Sequence, residues 1–175
     1  MTVPLIAGRH PLIVKKMAWP DEAATRSFAQ ALARKPALRG ALIELHGDLG
    51  AGKTTFVRHL LTSLGVQGRI KSPTYAVVEP YAVDTSDHDS GHNPQSEIWH
   101  FDFYRFNDAQ EWEDAGFRDI FASAGLKLVE WPDKAGDYLP LPDLAIAIDL
   151  LPSEQRRVTL SAFTATGAAL LETLA

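Results

Sequence analysis

The sequence predicts an α/β fold, a three-layer arrangement whose central, mostly parallel sheet is flanked by antiparallel strands and hairpins. Three observations carry this. Residues 42–61 read as a short apolar strand, then Gly47-Asp48-Leu49-Gly50-Ala51-Gly52-Lys53-Thr54, then an apolar pattern with helical spacing. That is the strand–loop–helix unit of phosphate-loop NTPases, and such a unit demands parallel neighbours. A second buried strand, Leu126-Lys127-Leu128-Val129-Glu130, closes on an acid, as at the C-terminal edge of a parallel sheet. Two pairs of strand-forming runs, 75–83 with 97–106 and 144–149 with 157–162, lie near enough in the chain to pair antiparallel.

The 175 residues suggest a single domain with an ordinary soluble composition. The absence of cysteine removes disulfides, thiolate catalysis and Cys-based zinc sites together. No apolar run is long enough to span a membrane, and the first residues lack the core of a signal peptide. A cytoplasmic location without membrane contact is therefore expected. The net charge of −5 argues against a generic nucleic-acid binder, so any link to RNA should run through a partner protein.

Taken in order, residues 1–10 read as a loose tail and 12–17 as a strand at a sheet edge. Pro20, Asp21 and Glu22 open an Ala-rich helix with Phe28, Ala29 and Leu32 on one face, which should stop near Pro36. The helix after the phosphate loop should run from about Gly52 to Leu64, with Gly65 as its stop. The polar stretch from Asp84 to Gln95 reads as a mobile hairpin loop, its histidines and aspartates solvated rather than metal-bound. Two short helices follow over 108–116 and 116–121, and a last one over about 167–174.

The chemistry centres on the loop. A triphosphate must be met at close range by many donors, so side chains at the tight positions would block it. Gly47, Gly50 and Gly52 leave the backbone free to curl, and Asp48, Leu49 and Ala51 complete the cradle. The helix beginning there presents unpaired N–H groups and a partial positive charge. Lys53 can reach the β- and γ-phosphates, Thr54 can ligate Mg2+, and Thr55 can donate to the α-phosphate. Ser72 and Thr74, in Ser72-Pro73-Thr74-Tyr75, stand where such proteins keep a segment that senses the γ-phosphate. The alternative for that tripeptide is a plain turn. Two acids compete to orient the metal: Asp102, inside an aromatic run and in need of a partner such as Arg105, His100 or a metal-bound water, and Glu130. Local sequence does not rank them. The motif chooses neither between ATP and GTP nor between hydrolysis and transfer.

Gly47–Thr55, Ser72-Pro73-Thr74-Tyr75, His100-Phe101-Asp102-Phe103-Tyr104-Arg105 and Val129-Glu130-Trp131-Pro132, in this order and spacing, closely resemble the bacterial TsaE (YjeE) family. The resemblance covers about residues 18–160, and only the 84–95 loop looks longer than usual. It implies a cytoplasmic ATPase that supports threonylcarbamoyl-adenosine formation at position 37 of tRNAs reading codons that begin with A. In that family the protein binds a TsaD–TsaB heterodimer and its ATP cycle keeps the modifying enzyme turning over. The resemblance assigns Lys53 to the phosphates, Thr54 and Glu130 to magnesium, and Asp102 to ATPase activity. It places Trp131 near the nucleotide and, more loosely, Asp21 and Arg156 near the adenosine end.

Rival readings are weaker. A small-molecule kinase would carry an Arg-rich lid, and no such cluster precedes a helix. A GTPase would carry Asn-Lys-x-Asp, which is absent. A nucleotide-gated binding module with incidental hydrolysis remains the alternative outside enzymes.

Overall fold

The structure, a computed structural model, describes residues 10–84, 95–172 and Leu174. The expected tail before His10, and the expected mobile loop apart from its two ends, lie outside the described residues.

Among the described residues seven strands form one sheet: β1 (Ile13–Trp19), β2 (Leu42–His46), β3 (Val78–Asp84), β4 (Gln95–Asp102), β5 (Leu126–Glu130), β6 (Leu144–Leu150) and β7 (Arg156–Ala162). Their order is β1-β7-β6-β2-β5-β4-β3. The central run β6-β2-β5-β4 is parallel throughout. β7 and β1 on one side and β3 on the other are added antiparallel. This is the predicted architecture.

The period of two along each strand sorts side chains between two cores. Ile43, Leu45, Leu126, Leu128, Leu144 and Ile146 face one way. They pack with Phe28 and Leu32 of α1 (Glu22–Ala33), Phe56, Leu60 and Leu61 of α2 (Lys53–Ser63) and Leu170 of α5 (Ala165–Leu171). Leu42, Phe101 and Val129 face the other way, against Phe103, Phe106, Trp112 of α3 (Gln110–Asp114) and Phe117, just before α4 (Arg118–Ala122). Each fully buried Leu or Phe contributes about 1.5–3 kcal/mol, so the central strands are held from both faces and their C-terminal ends are fixed in space.

Among the boundaries that differ from the sequence reading, three have a plain local cause. β3 begins at Val78 rather than Tyr75, because Pro73–Val77 closes a turn in which Val77 N donates to Pro73 O at 2.6 Å and Val77 sits at φ 69°. β4 ends at Asp102 rather than Phe106, since Phe106 N turns back to Phe103 O at 2.9 Å. The last helix starts two residues early and spans Ala165–Leu171, because the Thr164 hydroxyl accepts from Gly167 N at 3.1 Å and caps it. The stop of α2 falls as expected: Gly65 has φ 94° and Val66 N reaches back to Leu61 O at 3.0 Å.

Candidate nucleotide and metal site

The ends of β2, β5 and β4 open onto one edge of the sheet, and the loop 47–52 leaves β2 there. Gly47 has φ 141°, and a Cβ at this position would stand 2.4 Å from the Ile148 carbonyl oxygen of β6. Only glycine lets the chain turn so close under the neighbouring strand. Gly47→Ala should therefore lower stability by at least about 2 kcal/mol. A urea-unfolding midpoint equal to that of the parent protein would contradict this loop geometry.

Gly52, at φ 112°, precedes α2 with no side-chain cap. The first N–H groups of the helix are left for another acceptor. Lys53 is buried, and its Nζ donates to Gly47 O at 2.5 Å and Asp48 O at 3.0 Å while lying 4.1 Å from the centroid of Trp131. Burial lowers its pKa below 10.5, against the opposing pull of Glu130, Asp102 and Asp48. Trp131 adopts the left-handed region, φ 57° and ψ 49°, directly after β5. That costs on the order of 1 kcal/mol or more, and it turns the indole over Lys53 and against Tyr104, ring centroids 5.0 Å apart.

The two acids are separated by their partners. Asp102 and Glu130 are register neighbours at the ends of β4 and β5, on the face toward α2. The Thr54 hydroxyl lies 2.9 Å from both Glu130 oxygens, and His100 Nε2 lies 2.8 Å from Oε1. Asp102 instead accepts from the Thr74 hydroxyl at 2.7 Å and from Tyr104 N at 2.9 Å. Ser72 continues that chain, 2.8 Å from Thr74. Of the partners considered for Asp102, neither side chain takes the place: His100 belongs to Glu130, and the Arg105 guanidinium stacks 4.0 Å over Tyr75.

A cleft of about 330 Å³ gathers Leu49, Gly50, Gly52, Lys53, Thr54, Thr55, Ser72, Thr74, Asp102, Glu130, Trp131 and Arg156. Tyr104 also lines it, and sequence reasoning passed over that residue. Gly47 and Asp48 lie beneath, holding Lys53 through their carbonyls. Ala51 lines an adjoining cavity of about 60 Å³ with Trp19, Glu22 and Thr25, and Arg156 borders both spaces. Arg156 is steadied there by bonds from Nε to Ala51 O, 3.3 Å, and from Nη1 to Glu154 O, 3.2 Å. Asp21 does not line either space. Its carboxylate caps α1, accepting from Ala24 N at 2.9 Å.

Another cluster stands on the opposite face of β2, also unmarked in the sequence reading. His46 Nε2 is 3.0 Å from buried Glu44, and its Nδ1 is 3.9 Å from Asp133. Burial pushes its pKa down, but Asp133 and Glu44 outweigh that and raise it from 6.5 to about 9. A folded-state value above the unfolded one gives stability that is complete below pH 6.5 and lost as pH rises through about 9. With the imidazole only 10% exposed, the contribution is at most about 3 kcal/mol. The stability difference between parent and His46→Gln in urea should shrink across that window. Parallel curves from pH 6 to 10 would show that His46 is not the titrating group.

The donors in the cleft are hydroxyl and carboxylate oxygens, with one buried ammonium and an uncapped helix start beside them. An oxygen-only set suits a hard cation such as Mg2+, and the cation and N–H groups suit phosphate oxygens. The residues present thus fit a magnesium nucleotide.

The family model described as "Threonylcarbamoyl adenosine biosynthesis protein TsaE" matches residues 19–158, which contain every element of this site. The chain belongs to the TsaE family. The TsaE protein of Haemophilus influenzae is 37% identical over 142 residues, 81% of this chain and 83% of that one. The TsaE protein of Bacillus subtilis is 34% identical over 158 residues, 88% and 89% of the two chains. Among solved structures, the crystal structure of Bacillus subtilis YdiB superposes with a TM-score of 0.67 at 25% identity, covering 91% of this chain and 94% of that one. Among the described residues of this TsaE-family chain, no helix is long and apolar enough to cross a membrane.

Proposed function

We propose that this chain binds magnesium ATP in the cleft and hydrolyses it to ADP and phosphate. In this reading its ATP cycle supports threonylcarbamoyl-adenosine formation at position 37 of tRNAs reading codons that begin with A. The partner is a TsaD–TsaB-like complex in the cytoplasm, and tRNA is met only through that complex, consistent with the net charge of −5. Membership of the TsaE family supports the biological role. The observation that carries the chemistry is the Thr54–Glu130 pair at 2.9 Å beside Lys53 and the glycine loop.

The roles follow from the contacts. Lys53 exchanges its bonds to Gly47 and Asp48 for phosphate oxygens, which are stronger acceptors. Thr54 and Glu130 hold the magnesium ion, which when bound supplies positive charge to the phosphate oxygens. Asp102, kept in place by Thr74 and Tyr104 N, orients the attacking water and accepts its hydrogen bond. Ser72 and Thr74 link that carboxylate to the cleft mouth.

ATPase assays with and without a TsaD–TsaB complex test the proposal: turnover should rise when the complex is added. Equal rates would break the coupling between hydrolysis and partner. A second reading draws on Leu49 and Tyr75, 74% and 84% exposed at the rim of the loop and of the 72–77 turn. On it, a partner reads the bound nucleotide and hydrolysis is incidental. ATP-dependent capture of the complex by a hydrolysis-dead variant, with tRNA modification intact, would select it.

A further inference from the structure

His100 is fully buried in β4, and its one hydrogen bond among the described residues runs from Nε2 to Glu130 Oε1 at 2.8 Å. A carboxylate has only acceptors, so Nε2 must carry the proton. Nδ1 is buried and has no partner among the described residues. Burying an imidazole costs desolvation that an apolar residue of similar size would avoid. Packing alone therefore gives no reason for histidine here.

The register supplies one. Ile98, His100 and Asp102 project to the α2 face of β4, and Asp102 lies beside Glu130. His100 is thus the diagonal neighbour that can reach the last carboxylate of β5. Glu130 needs such a partner because the strand ends there, with Trp131 already in the left-handed region. The one Thr54 hydroxyl proton is shared between the two carboxylate oxygens, and among the described residues only Oε1 also accepts from His100. The carboxylate is held from two sides, with Oε2 as the less engaged oxygen.

We propose that His100 is a positioning residue that fixes Glu130 for a divalent cation and so sets the magnesium affinity of the site. Its side chain does not line the cleft and acts through Glu130. This rests on the magnesium-ATP reading given above.

The test is ATP binding by calorimetry in EDTA and across a MgCl2 titration, for the parent chain, His100→Leu and His100→Gln. Removing a partner that orients a metal ligand costs about ten- to a hundredfold in metal affinity. His100→Leu should raise the half-saturating magnesium concentration by that factor and leave ATP binding in EDTA unchanged. His100→Gln, whose amide nitrogen can reach the place of Nε2, should restore most of it. In a Glu130→Gln background, His100→Leu should have no further effect on the magnesium midpoint. In turnover assays the shift should appear in the magnesium midpoint, with kcat at saturating magnesium retained.

Coincident midpoints for the parent and His100→Leu would overturn the inference. So would a loss by His100→Leu of thermal stability and of ATP binding in EDTA together, which marks a structural role. If the parent chain itself binds ATP equally with and without magnesium, the magnesium-ATP reading falls, and this inference falls with it.

Discussion

Lys53→Ala is expected to cut ATP turnover by at least about 10²–10³ and to weaken ATP binding about ten- to a hundredfold, the range for losing a charge-assisted hydrogen bond of about 1.5–3 kcal/mol. The ammonium is buried, with Trp131 on one side and the carbonyls of Gly47 and Asp48 on another. It is therefore already dehydrated and aimed before a phosphate arrives, and little further ordering opposes binding. In turnover the loss is larger, because charge develops on the transferred phosphoryl group. Loss of one preorganised donor at such a centre costs about 10²–10³ in kcat. Stability should change little or rise, since burial already lowers the pKa of this lysine and marks its charge as uncomfortable. Fluorescent-nucleotide binding and phosphate-release assays on Lys53→Ala decide the matter. Native turnover would place the reaction elsewhere.

What the sequence made legible, and what it hid, divides along the range of the interactions. The loop, its strand and its helix were readable because glycine spacing, Lys53 and Thr54 are local to one another, and their geometry follows from backbone freedom. The parallel centre was readable because the strands 42–46 and 126–130 are buried on both faces, which suits strands covered by helices on either side. The ends of β3 and β4 were not, because turns at Val77 and Phe106 override strand-forming residues such as Tyr75 and Tyr104. His100 and Thr74 were also misplaced or left open. Their partners, Glu130 and Asp102, lie 30 and 28 residues away, and only the β4–β5 register decides which acid each one meets. For His46 only half of the cluster was out of reach, since Asp133 meets it from the turn after β5, whereas Glu44 two residues earlier on the same strand face was readable and was passed over. Alternation along β4 did contain one readable signal. Asp102 stands among Phe101 and Phe103 in the chain, but those rings pack in the opposite core, which leaves the carboxylate facing the cleft.

The division of labour between the two acids gives the other large effect. Glu130 receives the Thr54 hydroxyl on both oxygens and His100 on one, so the carboxylate and the hydroxyl form a ready oxygen pair for Mg2+. Glu130→Gln replaces an anionic oxygen with a neutral NH2 group that cannot ligate a cation: the amide oxygen stays toward the His100 N–H, and the NH2 lies beside the Thr54 hydroxyl, which can accept from it. The half-saturating magnesium concentration should rise at least about a hundredfold, the upper end of what losing an outer partner alone costs. Asp102 has each oxygen engaged by the 72–74 segment or by Tyr104 N, so it is fitted to hold water rather than metal. Asp102→Asn keeps an oxygen for one of those donors and loses the charge that can accept a proton. Turnover should fall by about 10²–10⁴, with nucleotide affinity and the magnesium midpoint nearly unchanged. Magnesium titrations of ATPase activity and of nucleotide binding on both variants separate the roles. A magnesium midpoint that moves in Asp102→Asn and stays fixed in Glu130→Gln would exchange the two assignments, and the Thr54–Glu130 bond would then be a contact that opens when nucleotide binds.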